Sequence, residues 1–480
     1  MIDDRFLLLP PHRSFSRGLA QTETSPHAMS SLTVSPNLTV HDTIVLLNLI
    51  DDIKRYDDKH LAPADGDEGY ASQESLDEKS NKDDEPCRGV SSQRDAKDIR
   101  KLKGLNDAAS QDFEPSVLSS VDWRDLPSKI PAALHRHVVL PYVAWARKIV
   151  RHETDVLMLT HLGLYFSTSV PSAIMLFRNF NYLHGVLHMA LQFHYMGTYT
   201  LMMHQHIHMN GILSKEWAVL RLFDAVFPYI TDPLMGHTWN TYFYHHVKHH
   251  HVEGNGPNDL SSTIRYQRDD LLHFLHYVGR FFFLVWFDLP RYFFGKGQLK
   301  NALKTGFWEL GNYTFLFTLY RLNSKATTFV FLGPLLLLRL GLMVGNWGQH
   351  AFVDADEPDS DFRSSITLID VPSNRYCYND GYHTSHHLNP RRHWRDHPTS
   401  FLQQKKTYIR EKALVFHNID YLMVTVKLLQ KDYLHLAKCL VPVGEQIGMT
   451  IEERATMLRR HTRKFDENEI REKFRGYKTK

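Results

Sequence analysis

The stretch TDVLMLTHLGLYFSTSVPSAIMLF, residues 154–177, decides the fold class. Asp155, near its start, is its only residue of the types Asp, Glu, Lys and Arg. About 20 predominantly apolar residues in a helix cross the core of a bilayer. The stretch therefore predicts a transmembrane helix.

A second apolar segment, YLHGVLHMALQFHYMGTYTLMM at residues 182–203, follows after the short polar turn RNFN. The two segments together predict a transmembrane hairpin. Four basic residues precede the hairpin, and the preference of positive charge for the cytosolic side places its open end there. These residues are Arg136, Arg147, Lys148 and Arg151.

Residues 307–322 and 326–345 predict a second hairpin, although each arm carries a charge, Glu309 or Arg339. The intervening residues 271–289 are also long enough to span. If they crossed, however, the histidine-rich stretches on either side of the second hairpin would face opposite compartments. The charges within and after this segment instead fit a helix lying on the cytosolic surface. The predicted fold is an all-α membrane protein with four transmembrane helices in two hairpins, interfacial helices and a cytosolic histidine-rich cap.

The two ends of the chain have a different composition. Residues 1–130 are rich in Ser, Asp, Glu and Lys, which predicts a mostly disordered cytosolic arm. Residues 39–56 are the exception, with the apolar spacing of a short amphipathic helix. Residues 131–400 form the predicted membrane domain, and residues 401–480 a cytosolic helical C-terminal region.

Composition excludes several classes of function. The 56 basic and 53 acidic residues leave a net charge of only +3, which is not the footprint of a nucleic-acid-binding protein. Three cysteines without a CxxC pair argue against a disulfide framework and against a thiolate metal site. The start of the chain has no apolar run long enough for a cleavable signal. A metal would therefore be held by histidine, of which the chain has 31.

Four short motifs concentrate these histidines: HQHIH (204–208), HVKHH (246–250), NWGQH (346–350) and HTSHH (383–387). Residues three or four apart project from one face of a helix, so each motif directs its rings the same way. The convergent imidazoles are His204, His208, His246, His249, His250, His350, His383, His386 and His387. Asn346 lies one helical turn before His350.

Nine nitrogen ligands exceed the coordination of one ion but suit two neighbouring ions. Imidazole binds Zn, Cu, Fe or Ni, so the ligand type alone leaves the metal open. A single HxxxH is usually a surface or packing feature, whereas three such clusters beside predicted spans indicate a metal centre. A membrane metal transporter is the alternative from another class, but it would place ionisable residues across the span midplanes.

The three histidine motifs resemble, in spacing and order, the histidine boxes of the membrane fatty acid desaturase and hydroxylase superfamily. The resemblance covers about residues 140–400, which makes residues 131–400 a desaturase-like domain. It implies two non-haem iron ions bound by the nine histidines, O2 as co-substrate, a fatty acyl lipid substrate and a separate electron donor such as cytochrome b5. It also implies a multi-pass protein of the endoplasmic reticulum with a cytosolic active site.

The motif NWGQH is similar to an additional ligand motif of acyl-CoA desaturases, in which the Asn contacts iron through water. The first box, HxxxH, is instead that of acyl-lipid desaturases, and Gln205 stands where an acid often follows. The acyl carrier stays open between the two groups. The spacing of the boxes also leaves desaturation, hydroxylation and epoxidation open.

Several other residues are expected around the metal ligands. Asp354 and Asp380 are predicted to accept the second N–H of ligand imidazoles. Arg391 and Arg392 are candidates to hold an anionic headgroup. His245 and His251 are expected to be peripheral.

Overall fold

The computed structural model of the protein describes residues 38–61 and 85–474. As predicted, this part of the chain is mostly helical. The helices up to the second histidine box are Val40–Leu61, Glu85–Asn106, Leu126–Lys129, Ala132–Leu134, His135–Val139, Leu140–Ile149, Val156–Leu164, Tyr165–Ser169, Val170–Arg178, Tyr182–Met209, Ala218–Leu234, Thr241–His245, His246–His250 and His251–Glu253. Those that follow, up to the fourth histidine motif, are Leu271–Gly295, Leu299–Leu322, Ser324–Thr327, Thr328–Leu332, Gly333–Gln349, Asp361–Ser364, Pro372–Tyr376 and His383–Leu388. The remaining helices are Trp394–Asp396, His397–Gln403, Lys405–Arg410, Tyr421–Leu429, Tyr433–Cys439, Gly444–Gly448, Ile451–Arg460 and Glu467–Lys473.

The first predicted hairpin corresponds to two adjacent helical segments. One runs from Val156–Leu164 through the π-helical turn Tyr165–Ser169 into Val170–Arg178, and the other is Tyr182–Met209. Asn181 begins the second helix because its side-chain oxygen accepts a hydrogen bond from the His184 amide at 3.1 Å. The helix extends six residues beyond the predicted span and thereby carries the first histidine box.

The second half of the membrane domain differs in its boundaries from the prediction. Residues 271–289 belong to the longer helix Leu271–Gly295, which packs along Leu299–Leu322. The two charged residues within the predicted second hairpin form an ion pair. The Arg339 guanidinium contacts the buried Glu309 carboxylate. Each charge is therefore compensated inside the helix bundle, which is the usual condition for burying an ionised group.

One described helix, Ser324–Gln349, is long and apolar enough by length and composition to cross a membrane. The count of four transmembrane helices is therefore not confirmed. Other helices nevertheless present large apolar side chains at the surface. Leu272, Phe283 and Phe317 are all about two-thirds or more exposed. Extended apolar surface of this kind marks a protein or membrane contact.

The segment following Gln349, residues 350–474, is called the cap here. It contains the described strands β1 (Ile366–Ile369) and β2 (Leu414–His417), which pair in parallel with Ile366 opposite Leu414. Both strands are buried along their whole length, which fits the mostly apolar sequences ITLI and LVFH. The all-α prediction is correct except for this small sheet.

Within the N-terminal arm, the short amphipathic helix expected at residues 39–56 corresponds to Val40–Leu61, whereas residues 85–130, expected to be mostly disordered, contain helices such as Glu85–Asn106. Val40–Leu61 packs on Glu85–Asn106, and both contact the cap. Apolar side chains of the two helices, including Leu46 and Leu102, lie in one buried cluster with cap residues such as Tyr382 and Phe401. Burial of this apolar face within the same chain supplies the stabilisation that composition alone did not reveal. Residues 1–37 and 62–84 lie outside the described part of the chain.

Leu46 and Leu47 offer a direct test of this packing. Leu46 is 1% exposed, whereas its neighbour Leu47 is 52% exposed. Leu46→Ala should lower the free energy of unfolding by about 2–5 kcal/mol, the usual cost of a buried cavity. Leu47→Ala should change it by less than about 0.5 kcal/mol. Denaturant unfolding of the detergent-solubilised protein measures both, and equal effects would contradict the docked helix.

Candidate metal centre

The first histidine box lies at the C-terminal end of the helix Tyr182–Met209. His204 and His208 are four residues apart and share one face. The helix ends at Asn210, whose φ of 57° is left-handed, and Gly211 continues with a φ of 107°. A Cβ at Gly211 would lie 1.9 Å from an Asp224 carboxylate oxygen, so only glycine fits this turn.

The second box is a π-helical turn, His246–His250, inserted between two short α-helical segments. The His251 amide donates to the carbonyl of His246, five residues earlier. The extra residue in the turn rotates the following side chains, so that His246 and His251 face the same way while His250 points elsewhere. Among the described residues, π-bulges of this kind also occur in three other helices.

The first of two histidine groups combines three boxes. One nitrogen from each of its five rings lies within 4.8 Å of the others. The Nε2 atom of His204 lies 2.8 Å from that of His246 and 2.9 Å from that of His386, and the His251 and His386 Nε2 atoms are 2.8 Å apart. The members of this group are His204, His208, His246, His251 and His386.

The second group contains four buried histidines, His250, His350, His383 and His387. The Nε2 atom of His383 lies 3.2 Å from that of His350 and 3.1 Å from that of His387. The two groups are neighbours, because the rings of His251 and His387 are only 5.1 Å apart. Nine imidazoles therefore surround two adjacent positions.

His249 lies apart from both groups, together with His245 and Asp259. Its Nε2 atom accepts a hydrogen bond from the Leu260 amide at 2.8 Å. A regular α-helix through HVKHH would direct His249 and His246 the same way. In the π-helical turn it is His251 that faces with His246, although the box spacing predicts His251 to be peripheral. The overlapping spacing HxxxHH, over residues 246–251, was the available signal.

Asp259 is a carboxylate in hydrogen-bond contact with a ring of the second group. Its Oδ2 atom lies 2.7 Å from Nδ1 of His250, and its Oδ1 atom accepts from the amide and hydroxyl of Ser261 at 2.9 and 2.8 Å. His350 is oriented in the same way by the Ser364 carbonyl oxygen, 2.7 Å from its Nδ1 atom. Such contacts set the tautomer and direct Nε2 towards the centre of the group.

The other predicted outer residues have different surroundings. Asp354 accepts from the amide of Asp356 at 2.7 Å, and its carboxylate lies 3.5 Å from the guanidinium of Arg363. Burial raises the pKa of Asp380 to about 7. Among the described residues, neither carboxylate has a recorded hydrogen bond to an imidazole. The side-chain amide of Asn346 donates to the Ser261 carbonyl and the Tyr277 hydroxyl.

The two arginines after the third box differ from each other. Arg391 is exposed, in keeping with a surface role. Arg392 donates through Nη1 to the carbonyl and hydroxyl oxygens of Ser385, at 2.8 and 2.7 Å. Ser385 belongs to the helix His383–Leu388, so Arg392 supports the third box.

Burial favours the uncharged form of eight of the nine grouped imidazoles by lowering their pKa values. It lowers the pKa of His208 to about 4 and that of His350 to about 3. It also holds the pKa well below the usual value for six further histidines: His204, His246, His251, His383, His386 and His387. A neutral imidazole is the form that binds a metal ion.

The arrangement fits metal ions by donor type and by spacing. Two nitrogens bound at right angles to one ion, each about 2.1 Å away, lie about 3.0 Å apart. The Nε2 contacts of 2.8–3.2 Å in both groups match this value. In addition, the Nε2 atom of His208 is buried without a hydrogen-bond partner.

A family model described as "Fatty acid desaturase" matches residues 173–411, about half of the chain. The match spans all four histidine motifs. The chain belongs to the membrane fatty acid desaturase/hydroxylase superfamily. No curated protein and no solved structure gives a match. Membership implies that this desaturase-family protein is an oxidoreductase. The family itself is membrane-associated, acts on fatty acyl substrates and is known to use a di-iron centre.

Replacing His251 and His249 one at a time tests which of the two side chains binds metal in this family member. His251→Ala should lower the metal bound per chain, because it removes a ring from the five-histidine group. His249→Ala should retain more metal, since that side chain lies in neither group. Metal analysis of the purified variants measures both, and the opposite ranking would support the regular α-helical spacing.

The lowered pKa values also predict a pH dependence of stability. A histidine in the unfolded chain has a pKa near 6.5, so between pH 6.5 and about 4 the unfolded metal-free protein binds more protons than the folded one. The free energy of unfolding should then fall with decreasing pH by up to about 1.4 kcal/mol per unit for each such histidine. Denaturant unfolding at pH 7, 6 and 5 measures the slope. His208→Gln should reduce it, and a flat profile would contradict buried neutral rings.

Proposed function

We propose that the protein is a membrane lipid desaturase that introduces a double bond into a fatty acyl chain in an O2-dependent reaction. The observation that carries the proposal is the pair of adjacent histidine groups, five rings beside four. This number exceeds what a single structural ion requires and leaves both positions lined almost wholly by neutral imidazole. The family supplies the class of chemistry that such a donor set serves.

Two iron ions are the proposed occupants, one in each group. The first would be held by rings from all three histidine boxes, and the second by His250, His350, His383 and His387. When bound, an oxygen-activating iron pair supplies the strong oxidant that removal of hydrogen from an unactivated methylene needs and that protein side chains lack. The protein's own contribution is to hold the rings neutral and oriented, through burial and through contacts such as that of Asp259 with His250.

A cavity of about 410 Å³, which Tyr242 separates from the first group, is the proposed acyl site. Its wall includes Ile207, between two residues of the first box, and Tyr242, whose ring stacks on His246 with the centroids 5.3 Å apart. The far wall is formed by the helices Ala218–Leu234 and Leu299–Leu322, through residues such as Ala225 and Trp308. An acyl chain seated here would have to pass Tyr242 for one methylene to reach the first group, and the length of the seated chain would select that methylene.

The proposed topology has four crossings with the metal centre in the cytosol. Both Tyr182–Met209 and Gly333–Gln349 deliver their histidines at or just after their C-terminal ends. If both helices cross the membrane and share one metal centre, their C-terminal ends lie on the same membrane face. The chain must then cross the membrane an even number of times between residue 209 and residue 349. Leu299–Leu322 with Ser324–Gln349 satisfies this, and Leu271–Gly295 then lies at the surface. Residence in the endoplasmic reticulum and electron supply by cytochrome b5 complete the proposal.

Product analysis tests the reaction. Expression in a host that lacks the activity should yield a lipid two hydrogens lighter than its precursor, with one double bond at a fixed position, measured by mass spectrometry. His386→Ala should abolish the product, because His386 lies in the first group. A gain of one oxygen would instead identify a hydroxylase or epoxidase on the same scaffold. An unchanged lipid profile would contradict all three reactions.

Filling the cavity tests the acyl site. Ala225 lines it and Ala218, on the same helix, does not, although both residues are exposed. Ala225→Trp should lower turnover strongly and shift the substrate preference towards shorter acyl chains. The metal content should be unchanged. Ala218→Trp is the control and should be near wild type. Equal activity of the two variants would exclude this cavity as the acyl site.

A further inference from the structure

The N-terminal helices Val40–Leu61 and Glu85–Asn106 lie against the segment that carries the third histidine box. This box has a particular place in the centre, because His386 belongs to the first group while His383 and His387 belong to the second. A displacement of this one segment would therefore disturb both groups. Its helix, His383–Leu388, has only six residues. Helices this short are not stable by themselves and take their position from tertiary contacts.

Asp42, in the first turn of Val40–Leu61, is 1% exposed and makes two such contacts. Its Oδ1 atom accepts from the hydroxyl of Tyr382 at 2.7 Å, and its Oδ2 atom accepts from Nδ2 of Asn374 at 3.0 Å. Tyr382 directly precedes the ligand His383. The Asp42 carboxylate thus binds Tyr382, the N-cap residue of the third-box helix, although the two residues are more than 300 positions apart in the sequence.

Asn374 extends this contact to the backbone before the box. Its Oδ1 atom accepts from the Gly381 amide at 2.8 Å, and its Nδ2 atom also donates to the Leu368 carbonyl at 3.0 Å. A Cβ at Gly381 would lie 2.4 Å from both of these oxygens, so the chain approaches as closely as glycine allows. Asn374 therefore holds Gly381 through its backbone amide. Asp42 holds the next residue, Tyr382, through its hydroxyl.

The second N-terminal helix supports the other end of the segment. Asn106, its last residue, accepts from Nε of Arg395 at 2.8 Å and donates to the Arg395 carbonyl at 3.0 Å. Arg395 is buried and also donates to the Glu114 carbonyl at 2.8 Å. Through these contacts the chain after the third box is tied to the same helix pair as the chain before it.

We infer that the N-terminal helix pair is an intramolecular clamp for the third histidine box, with Asp42 as its positioning residue. The clamp sets the place of His383, His386 and His387 relative to the other boxes, and with it the affinity of both metal positions. The inference rests on the proposed function in so far as the two groups bind metal. It assigns a role to a segment outside the residues that the family model matches.

The chemistry of Asp42 predicts a graded series of variants. Asp42→Asn keeps an oxygen for the Tyr382 hydroxyl but directs an N–H₂ at Nδ2 of Asn374, which is also a donor. Asp42→Leu removes both acceptors. Tyr382→Phe removes only the hydroxyl and leaves the ring in its apolar cluster. Metal retention should fall from wild type to Asp42→Asn to Asp42→Leu, and Tyr382→Phe should also lose metal.

The measurement is the iron content of the full-length purified protein and its rate of iron loss to a chelator. Loss of an outer contact typically costs about 10- to 100-fold in metal affinity, and Asp42→Leu should fall in this range for both irons together. Hydrogen exchange of the metal-free variants should show faster exchange at residues 381–388. Asp51→Asn is the matched control on the same helix, because Asp51 pairs with Arg55 and Arg94 at the surface, and it should match wild type.

The outcomes separate the two proposals. If wild-type protein, supplied with iron, binds none, the proposed function fails before the clamp is tested. If wild type binds iron and folded Asp42→Leu and Tyr382→Phe retain it equally, with unchanged exchange at residues 381–388, the clamp is refuted. Should Asp42→Leu fail to fold, the milder Tyr382→Phe decides, because its only loss is one hydroxyl.

Discussion

The main physical constraint on this structure is that buried, uncharged imidazoles face one another at hydrogen-bond distance. Nitrogens such as those of His204 and His246, 2.8 Å apart, carry lone pairs that repel each other unless a proton or a metal ion lies between them. Burial removes water as a partner and holds the rings neutral. The surrounding helices therefore have to pack well enough to hold an arrangement that the rings alone would oppose.

The π-helical turn His246–His250 explains how one short motif contributes histidines to both groups. In a regular α-helix, His246, His249 and His250 would project from a single face. With one more residue in the turn, His246 and His251 point to the first group and His250 to the second. A local departure from regular helix geometry, placed at a functional site as such turns often are, thus decides how the ligands are divided.

Support for the rings comes from parts of the chain that carry no histidine box. Asp259 orients His250, Ser364 orients His350 and Arg392 holds Ser385 in the third box. The cap and the N-terminal helices add a second layer, with Asp42 reaching Tyr382. The arrangement of the histidine groups in this desaturase-family protein consequently also depends on a segment that flanks the matched residues 173–411.

The sequence by itself determined the family, the helical fold class and eight of the nine histidines that the structure groups, because box spacing and apolar length are local properties. It could not decide between His249 and His251, since the π-helical turn depends on what the turn packs against. Nor did it identify Asp259 over Asp354 and Asp380 as the carboxylate beside the rings. The docking of Val40–Leu61 and the folding of residues 85–106 were likewise decided only in three dimensions, because their apolar residues are stabilised by partners more than 200 residues away in the chain.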